Sequence, residues 1–178
     1  MKKAKLVMIF FIIGSVFLSC ASFPDANEKN RTLIIGQIVL EAKGWPTDNI
    51  SINGIYKTGI QITIQDNASG KTYSIKSQND GMFYSVNVPN GNYKITRIYF
   101  KKTSGRSWRD VWIEPGRSQF VIKEGYVNNL GLFNWLSEPS KSLLLNNKEY
   151  EQVKNLFQEE YVSSNWNEKD WIETNIKG

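Results

Sequence analysis

Short runs of alternating apolar and polar residues, separated by turn residues, fill the middle of the chain. Residues 60–65 (IQITIQ) alternate cleanly, as expected for a strand with one buried face. The following segment 66–70 (DNASG) is typical of a hairpin turn, because Asn and Gly tolerate positive φ. Further strands are predicted at 33–40, 72–77, 82–88, 93–100, 108–113, 119–122 and 126–133, with a short edge strand inside the connection 43–59. This pattern predicts a mainly β protein, an antiparallel β-sandwich over residues 32–136.

The pattern changes near residue 137, where helical spacing replaces alternation. Apolar residues recur along one helical stripe at Tyr150, Val153, Phe157 and Tyr161. Asn146 is a predicted N-cap, and a second short helix is predicted near Asn167, with Trp171 on its inner face. Residues 137–178 have a net charge of −3, and residues 21–136 have a net charge of +5. We expect residues 137–178 to form a C-terminal helical extension packed on the sandwich.

The first nineteen residues have the composition of a secretory signal. Lys2, Lys3 and Lys5 precede an apolar run of 13 residues, LVMIFFIIGSVFL, which is shorter than the roughly 20 residues that span a bilayer. The run ends at Ser19-Cys20, and the polar residues that follow predict a flexible tether over 20–31. Three of the five net positive charges lie in this segment, so its removal leaves a net charge of +2.

A small residue before a cysteine at the end of such a run resembles the lipobox of bacterial lipoproteins. The resemblance implies that Cys20 receives a lipid and becomes the new amino terminus. It also implies an exported protein, lipid-anchored to the bacterial cell membrane or the outer membrane. Two or more acyl chains hold far better than one, because each buried methylene contributes about 0.8 kcal/mol.

A second resemblance covers residues 33–100. Residues 81–95 (GMFYSVNVPNGNYKI), together with the upstream runs GIQITI and Ser69-Gly70, are similar to the carboxypeptidase regulatory-like, or transthyretin-like (prealbumin-like), β-sandwich family. Gly81 and Gly91 are expected in turns that a Cβ would oppose. Phe83 and Tyr93 are expected as core anchors. The family is an accessory or binding module, and it implies no catalytic residue.

Composition excludes several chemistries. The 178 residues contain no histidine and one cysteine, so an imidazole base, a thiolate metal cluster and an internal disulfide are all excluded. We expect no metal site and no cofactor. Nucleic-acid binding is disfavoured by export and by the small net charge. Asp80, Asp110 and Glu114 are carboxylates that a hydrolase could pair, but their spacing does not place two of them across a cleft.

Aromatic residues alternate with apolar ones in the segment SWRDVWI, residues 107–113. Burial of Val111 and Ile113 would direct Trp108, Asp110 and Trp112 outward as a ladder that can stack on a sugar or a peptide. The alternative is that these tryptophans pack against the core or under the C-terminal helix. Lys101, Lys102, Arg106 and Arg109 form a neighbouring basic region, which either meets an anionic partner or is simply solvated.

Together these features predict a non-catalytic envelope lipoprotein that is held at the membrane by the lipid on Cys20. Its sandwich would mediate protein interaction or scaffolding with an envelope protein partner. Binding of a glycan or small ligand is the main alternative. A carboxylate-based hydrolase is the third.

Overall fold

The computed structural model describes residues 23–27, 31–42, 54–104, 107–115, 118–137 and 146–177. The predicted signal segment, residues 1–19, and Cys20 lie outside these residues. In chain order the elements are β1 (Leu33–Ala42), β2 (Gly54–Tyr56), β3 (Gln61–Asp66), β4 (Thr72–Lys76), β5 (Met82–Val86), β6 (Gly91–Ser104), β7 (Ser107–Ile113), β8 (Gln119–Ile122), β9 (Val127–Ser137), β10 (Asn146–Lys148), α1 (Tyr150–Glu160), a 3₁₀ turn (Asn165–Glu168) and β11 (Trp171–Glu173).

The strands form two sheets, which confirms the prediction of a mainly β fold. The first sheet has the order β10-β9-β1-β2, with β11 also paired to β9 and β5 also paired to β1. The second has the order β4-β3-β6-β7, with β8 also paired to β6. The short edge strand expected within 43–59 is β2.

The expectation of purely antiparallel pairing is wrong for the first sheet. β9 runs parallel to β1 from Leu33↔Val127 to Ala42↔Ser137, and β11 also runs parallel to β9. Turn residues predict only pairing between strands that are consecutive in the chain. The whole second sheet is formed by residues between β1 and β9, so the chain can return beside β1 in the same direction.

Both sheets contribute to one core. From the first sheet, β1 directs Ile34, Ile38 and Leu40 inward, which are the even positions that the sequence pattern predicts for one buried face. Phe83 of β5 and Tyr93 of β6 are both buried there, as expected, although they come from different sheets. The Tyr93 hydroxyl donates a hydrogen bond to the Pro89 carbonyl at 2.9 Å, which closes the turn between the two sheets.

A second apolar cluster covers the outer face of the first sheet. Its sheet residues are Leu33, Ile35, Met82 and Val127, and its covering residues are Phe23, Val153, Phe157 and Trp166. The order of layers is therefore α1 with the N-terminal segment, then the first sheet, the core and the second sheet. Leu33 and Ile35 alternate with the inward residues of β1, so this strand is apolar on both faces.

The C-terminal region is not only a helical extension packed on the sandwich, as predicted, because it also contributes strands to the first sheet. The predicted helix is present as α1, with Val153 and Phe157 buried. Asn146 lies on β10 and not at a helix N-cap, and α1 begins only after Glu149. The second predicted helix is a single 3₁₀ turn, and Trp171 is on a strand. Because β10 and β11 both pair with β9, this region completes the first sheet.

The segment expected as a tether also differs from the prediction. Phe23 is only 9% exposed and belongs to the second cluster, so the described residues 23–27 are bound to the domain. A single apolar residue in a polar stretch has no period, and the sequence pattern therefore gave no sign of its burial.

Candidate functional site

The outer face of the second sheet carries an exposed aromatic site on β6 and β7. Val111 packs against the core and Ile113 is buried, whereas Asp110 and Trp112 point outward. Trp112 is 57% exposed. The alternative that this tryptophan is covered by the C-terminal helix is wrong, because α1 covers the other sheet.

Tyr99 completes the site. It lies opposite Trp112 in the register of β6 and β7, and the two ring centroids are 5.8 Å apart with planes inclined at 37°. The Tyr99 hydroxyl donates a hydrogen bond to the Asp110 carboxylate at 2.7 Å. This hydrogen bond, together with desolvation and the carboxylate charge, raises the pKa of Tyr99. The phenol therefore stays a donor and holds Asp110 beside the indole.

Cationic side chains lie on the same strand as Tyr99. Arg97 and Lys101 flank it at two-residue spacing on β6, and both are exposed. Lys101 is opposite Asp110 in the register. Of the predicted basic region, only the Lys101 side chain is among those described. Arg106 and the side chains of Lys102, Trp108 and Arg109 lie outside the described part of the structure.

The sequence pattern does not predict Tyr99 and Arg97 as site residues, although it contains a signal for Tyr99. Ile98 and Phe100 are buried neighbours on β6, and strand alternation directs the residue between them to the opposite face. This signal is weak, because an aromatic residue inside an apolar run such as Ile98-Tyr99-Phe100 is more typical of the buried core.

The carboxylates considered for hydrolysis occupy separate places. The Asp80 carboxylate accepts a hydrogen bond from the Met82 N–H at 2.8 Å, as a turn residue does. Asp110 is bound by Tyr99, and Glu114 is an exposed residue after β7. Within the residues described, no group of three or more His, Cys, Asp or Glu side chains could hold a metal ion.

A shallow cavity of about 430 Å³ lies near the N-terminal segment. An ion pair between Arg31 and Glu124, 3.3 Å long and with both side chains exposed, lies at its edge. The remaining lining residues are Ala26, Asn27, Gly125, Trp166 and Lys169. Exposed ion pairs contribute little to stability or binding, so this cavity offers no strong anchor for a ligand.

No helix in the described ranges is both long and apolar enough to span a membrane.

Comparison with known proteins identifies no family. No protein-family model matches the chain, and no curated protein matches it. Among solved structures, a leucine-rich repeat protein from Bacteroides thetaiotaomicron is 12% identical, with a TM-score of 0.32. The match covers 75% of this chain and spans only 17% of that protein. A likeness at this level indicates neither a shared fold nor a shared function.

Proposed function

We propose that the protein is an exported bacterial lipoprotein, anchored through Cys20, that binds an envelope protein partner and catalyses no reaction. The anchor is supported by the sequence before Cys20, which has lysines, a 13-residue apolar run and a small residue in that order. Replacement of Cys20 by Ser tests it. The variant should take up no palmitate analogue during growth, and label on that variant would contradict the assignment.

The fold belongs, in this proposal, to the transthyretin-like sandwiches. The support comes from three residues of the similar segment. Gly81 has a φ of 90°, and Phe83 and Tyr93 are core anchors on consecutive strands of different sheets. Domains of this kind are binding modules, which agrees with a non-catalytic role.

The single observation that carries the interaction proposal is the exposure of Trp112 on an open sheet face. Leaving an indole in water is unfavourable, and Trp, Tyr and Arg are the residues that most often dominate protein interfaces. The Tyr99–Asp110 hydrogen bond and the contact of Tyr99 with Trp112 order the side chains of the site before a partner binds. Binding therefore costs little side-chain conformational entropy. β7 is also at the end of the strand order, where a partner strand can approach.

A pull-down from detergent-solubilised envelope tests this site. The Trp112→Ala variant should retain at least tenfold less of a partner than the native protein, as expected for the loss of a central interface tryptophan of about 2 kcal/mol. Ile55→Ala is the matched control, because Ile55 is a 66% exposed apolar residue on a strand of the other sheet. Equal retention by both variants would refute the site.

A glycan is the second candidate partner, favoured by the carboxylate beside an exposed indole. Sugars stack their apolar faces on such rings and donate hydroxyl hydrogen bonds to carboxylates. A glycan array separates the two candidates, because a glycan site would lose its signal in both Trp112→Ala and Asp110→Asn. Turnover of any glycan that Asp110→Asn abolishes would instead indicate a hydrolase.

A further inference from the structure

The segment 23–27 is an integral part of the domain. The Phe23 ring lies between aromatic side chains of the first sheet, of α1 and of Tyr161, the residue that follows α1. Its centroid is 4.5 Å from that of Tyr84, 5.1 Å from that of Phe157 and 4.5 Å from that of Tyr161. The ring is part of the cluster that covers the first sheet.

Hydrogen bonds hold the backbone of this segment as well. The Trp166 indole N–H donates to the Pro24 carbonyl at 2.7 Å. The Asn165 side chain accepts from the Ala26 N–H at 2.7 Å and donates to the Ala26 carbonyl at 2.9 Å. One amide side chain thus satisfies both backbone groups of Ala26, as a neighbouring strand would. Ring packing and three hydrogen bonds together fix the start of the domain.

The length of chain between this segment and the anchor is very short. Cys20 precedes Phe23 by three residues. Three fully extended residues span about 11 Å at most. From this distance, and resting on the proposed lipid anchor, we infer that the domain is held directly against the bilayer, with the side that carries Phe23 and Tyr161 facing the lipid. This side of the domain therefore contacts the lipid surface.

The order of layers determines which surface of the domain faces away from the membrane. Phe23 lies on the outer side of the first sheet, and the Trp112 site lies on the outer side of the second. Packed sheets are about 10 Å apart, and a helix adds about the same distance, so the two sides differ by about 20 Å in height. A partner of Trp112 thus approaches from the aqueous side.

Charge does not account for this orientation. Glu159, Glu160 and Lys169 are exposed around this side, so it has no excess of positive charge to attract anionic lipid. The orientation follows from the short connection, and it should therefore be the same on neutral lipid as on anionic lipid.

Energy transfer from two labelled positions to the lipid surface tests the inference. Val162 is 76% exposed and follows Tyr161, and Val121 is 49% exposed on β8 in the second sheet. Val162→Cys and Val121→Cys give matched single labelling sites, because the native cysteine is capped in the lipidated full-length product. Each variant is labelled with a donor dye and placed in neutral phosphatidylcholine vesicles whose headgroups carry an acceptor. At equal acceptor density, transfer from position 162 should be about twofold or more greater than from position 121.

A linker insertion shows whether the short connection is the cause. Twelve Gly and Ser residues inserted after Ser22 leave the Phe23 contacts in place but lengthen the connection several-fold. The difference between the two positions should then fall towards zero. If the native-length protein floats with the vesicles and both labels transfer equally, the orientation is overturned while the anchor stands. If the protein does not float with the vesicles, the anchor itself is overturned, and the orientation with it.

Discussion

Two glycines with similar backbone conformations predict very different effects of one added methyl group. Gly81 precedes β5 with a φ of 90°, and Gly70 ends the turn after β3 with a φ of 71°. Left-handed backbone is unfavourable for alanine by about 1–2 kcal/mol at either position. The two glycines differ in their surroundings. A Cβ on Gly70 meets nothing within 4 Å, whereas a Cβ on Gly81 would lie 2.5 Å from the Ile38 carbonyl oxygen.

The overlap at Gly81 cannot be relieved by a side-chain rotation, because the contact is with backbone. The Ile38 N–H also donates to the Gly81 carbonyl at 2.9 Å, so moving one strand away from the other stretches this hydrogen bond. Overpacking of this kind typically destabilises by about 1–3 kcal/mol. Added to the backbone term, Gly81→Ala should lower the free energy of unfolding by about 2–5 kcal/mol, and Gly70→Ala by only about 1–2 kcal/mol.

Urea unfolding of the unlipidated domain, residues 21–178, measures both values through tryptophan fluorescence. Trp166 is buried and reports on the packed second cluster. The two midpoints should differ clearly at equal m-values. Free-energy changes that agree within about 0.5 kcal/mol would show that the contact with Ile38 has no energetic consequence, and would leave the left-handed backbone as the physical reason for a glycine at this position.

Three further predictions concern the docked segment, the buried phenols and the exposed site. Phe23→Ala should lower the unfolding free energy by about 2–3 kcal/mol, because the ring leaves an apolar cluster; an unchanged urea midpoint would contradict this. Burial raises the pKa of Tyr93 and of Tyr161, so the contribution of these phenols to stability should be constant below pH of about 10 and fall above it, because unfolded phenols ionise first. Urea midpoints between pH 8 and 11 check the direction, and a rising midpoint would be inconsistent. Asp110→Asn should lower the pKa of Tyr99 in an ultraviolet titration read against Tyr99→Phe, and identical curves would rule out the hydrogen bond.

Local pattern was sufficient to predict most strands, because each has its own alternation and its own turn residues. The eight strands expected between residues 33 and 133 all have counterparts within a few residues. Local pattern does not predict the pairing of β1 with β9, because the two strands are far apart in the chain. β10 (NNK) has no apolar pattern at all, and it is a strand only because β9 offers an unpaired edge.

The site was predicted only in part, for a related reason. Alternation in β7 predicts which residues share a face of the strand, but not which face is exposed to solvent. The exposed face depends on which sheet α1 packs against. Trp166 and Phe23 belong to one apolar cluster, and the Trp166 indole donates a hydrogen bond to the Pro24 carbonyl across 142 residues of chain. The residues next to them in the sequence give no indication that either is buried. Contacts of this kind depend on three-dimensional proximity, which the local pattern of a single sequence does not contain.

The sequence nevertheless shows which of the two sheets is covered on both faces. β1 contains the nearly continuous apolar run LIIGQIVL, which is typical of a strand covered on both faces. β3 has the alternating run QITIQD, typical of a strand with one wet face. A covering helix should therefore pack on the sheet of β1, as α1 does, and leave the outer face of the sheet of β3 open. The exposed Trp112 lies on that open face, opposite to the side that carries Phe23. The proposed partner binding and the proposed membrane attachment would therefore use different surfaces of the domain.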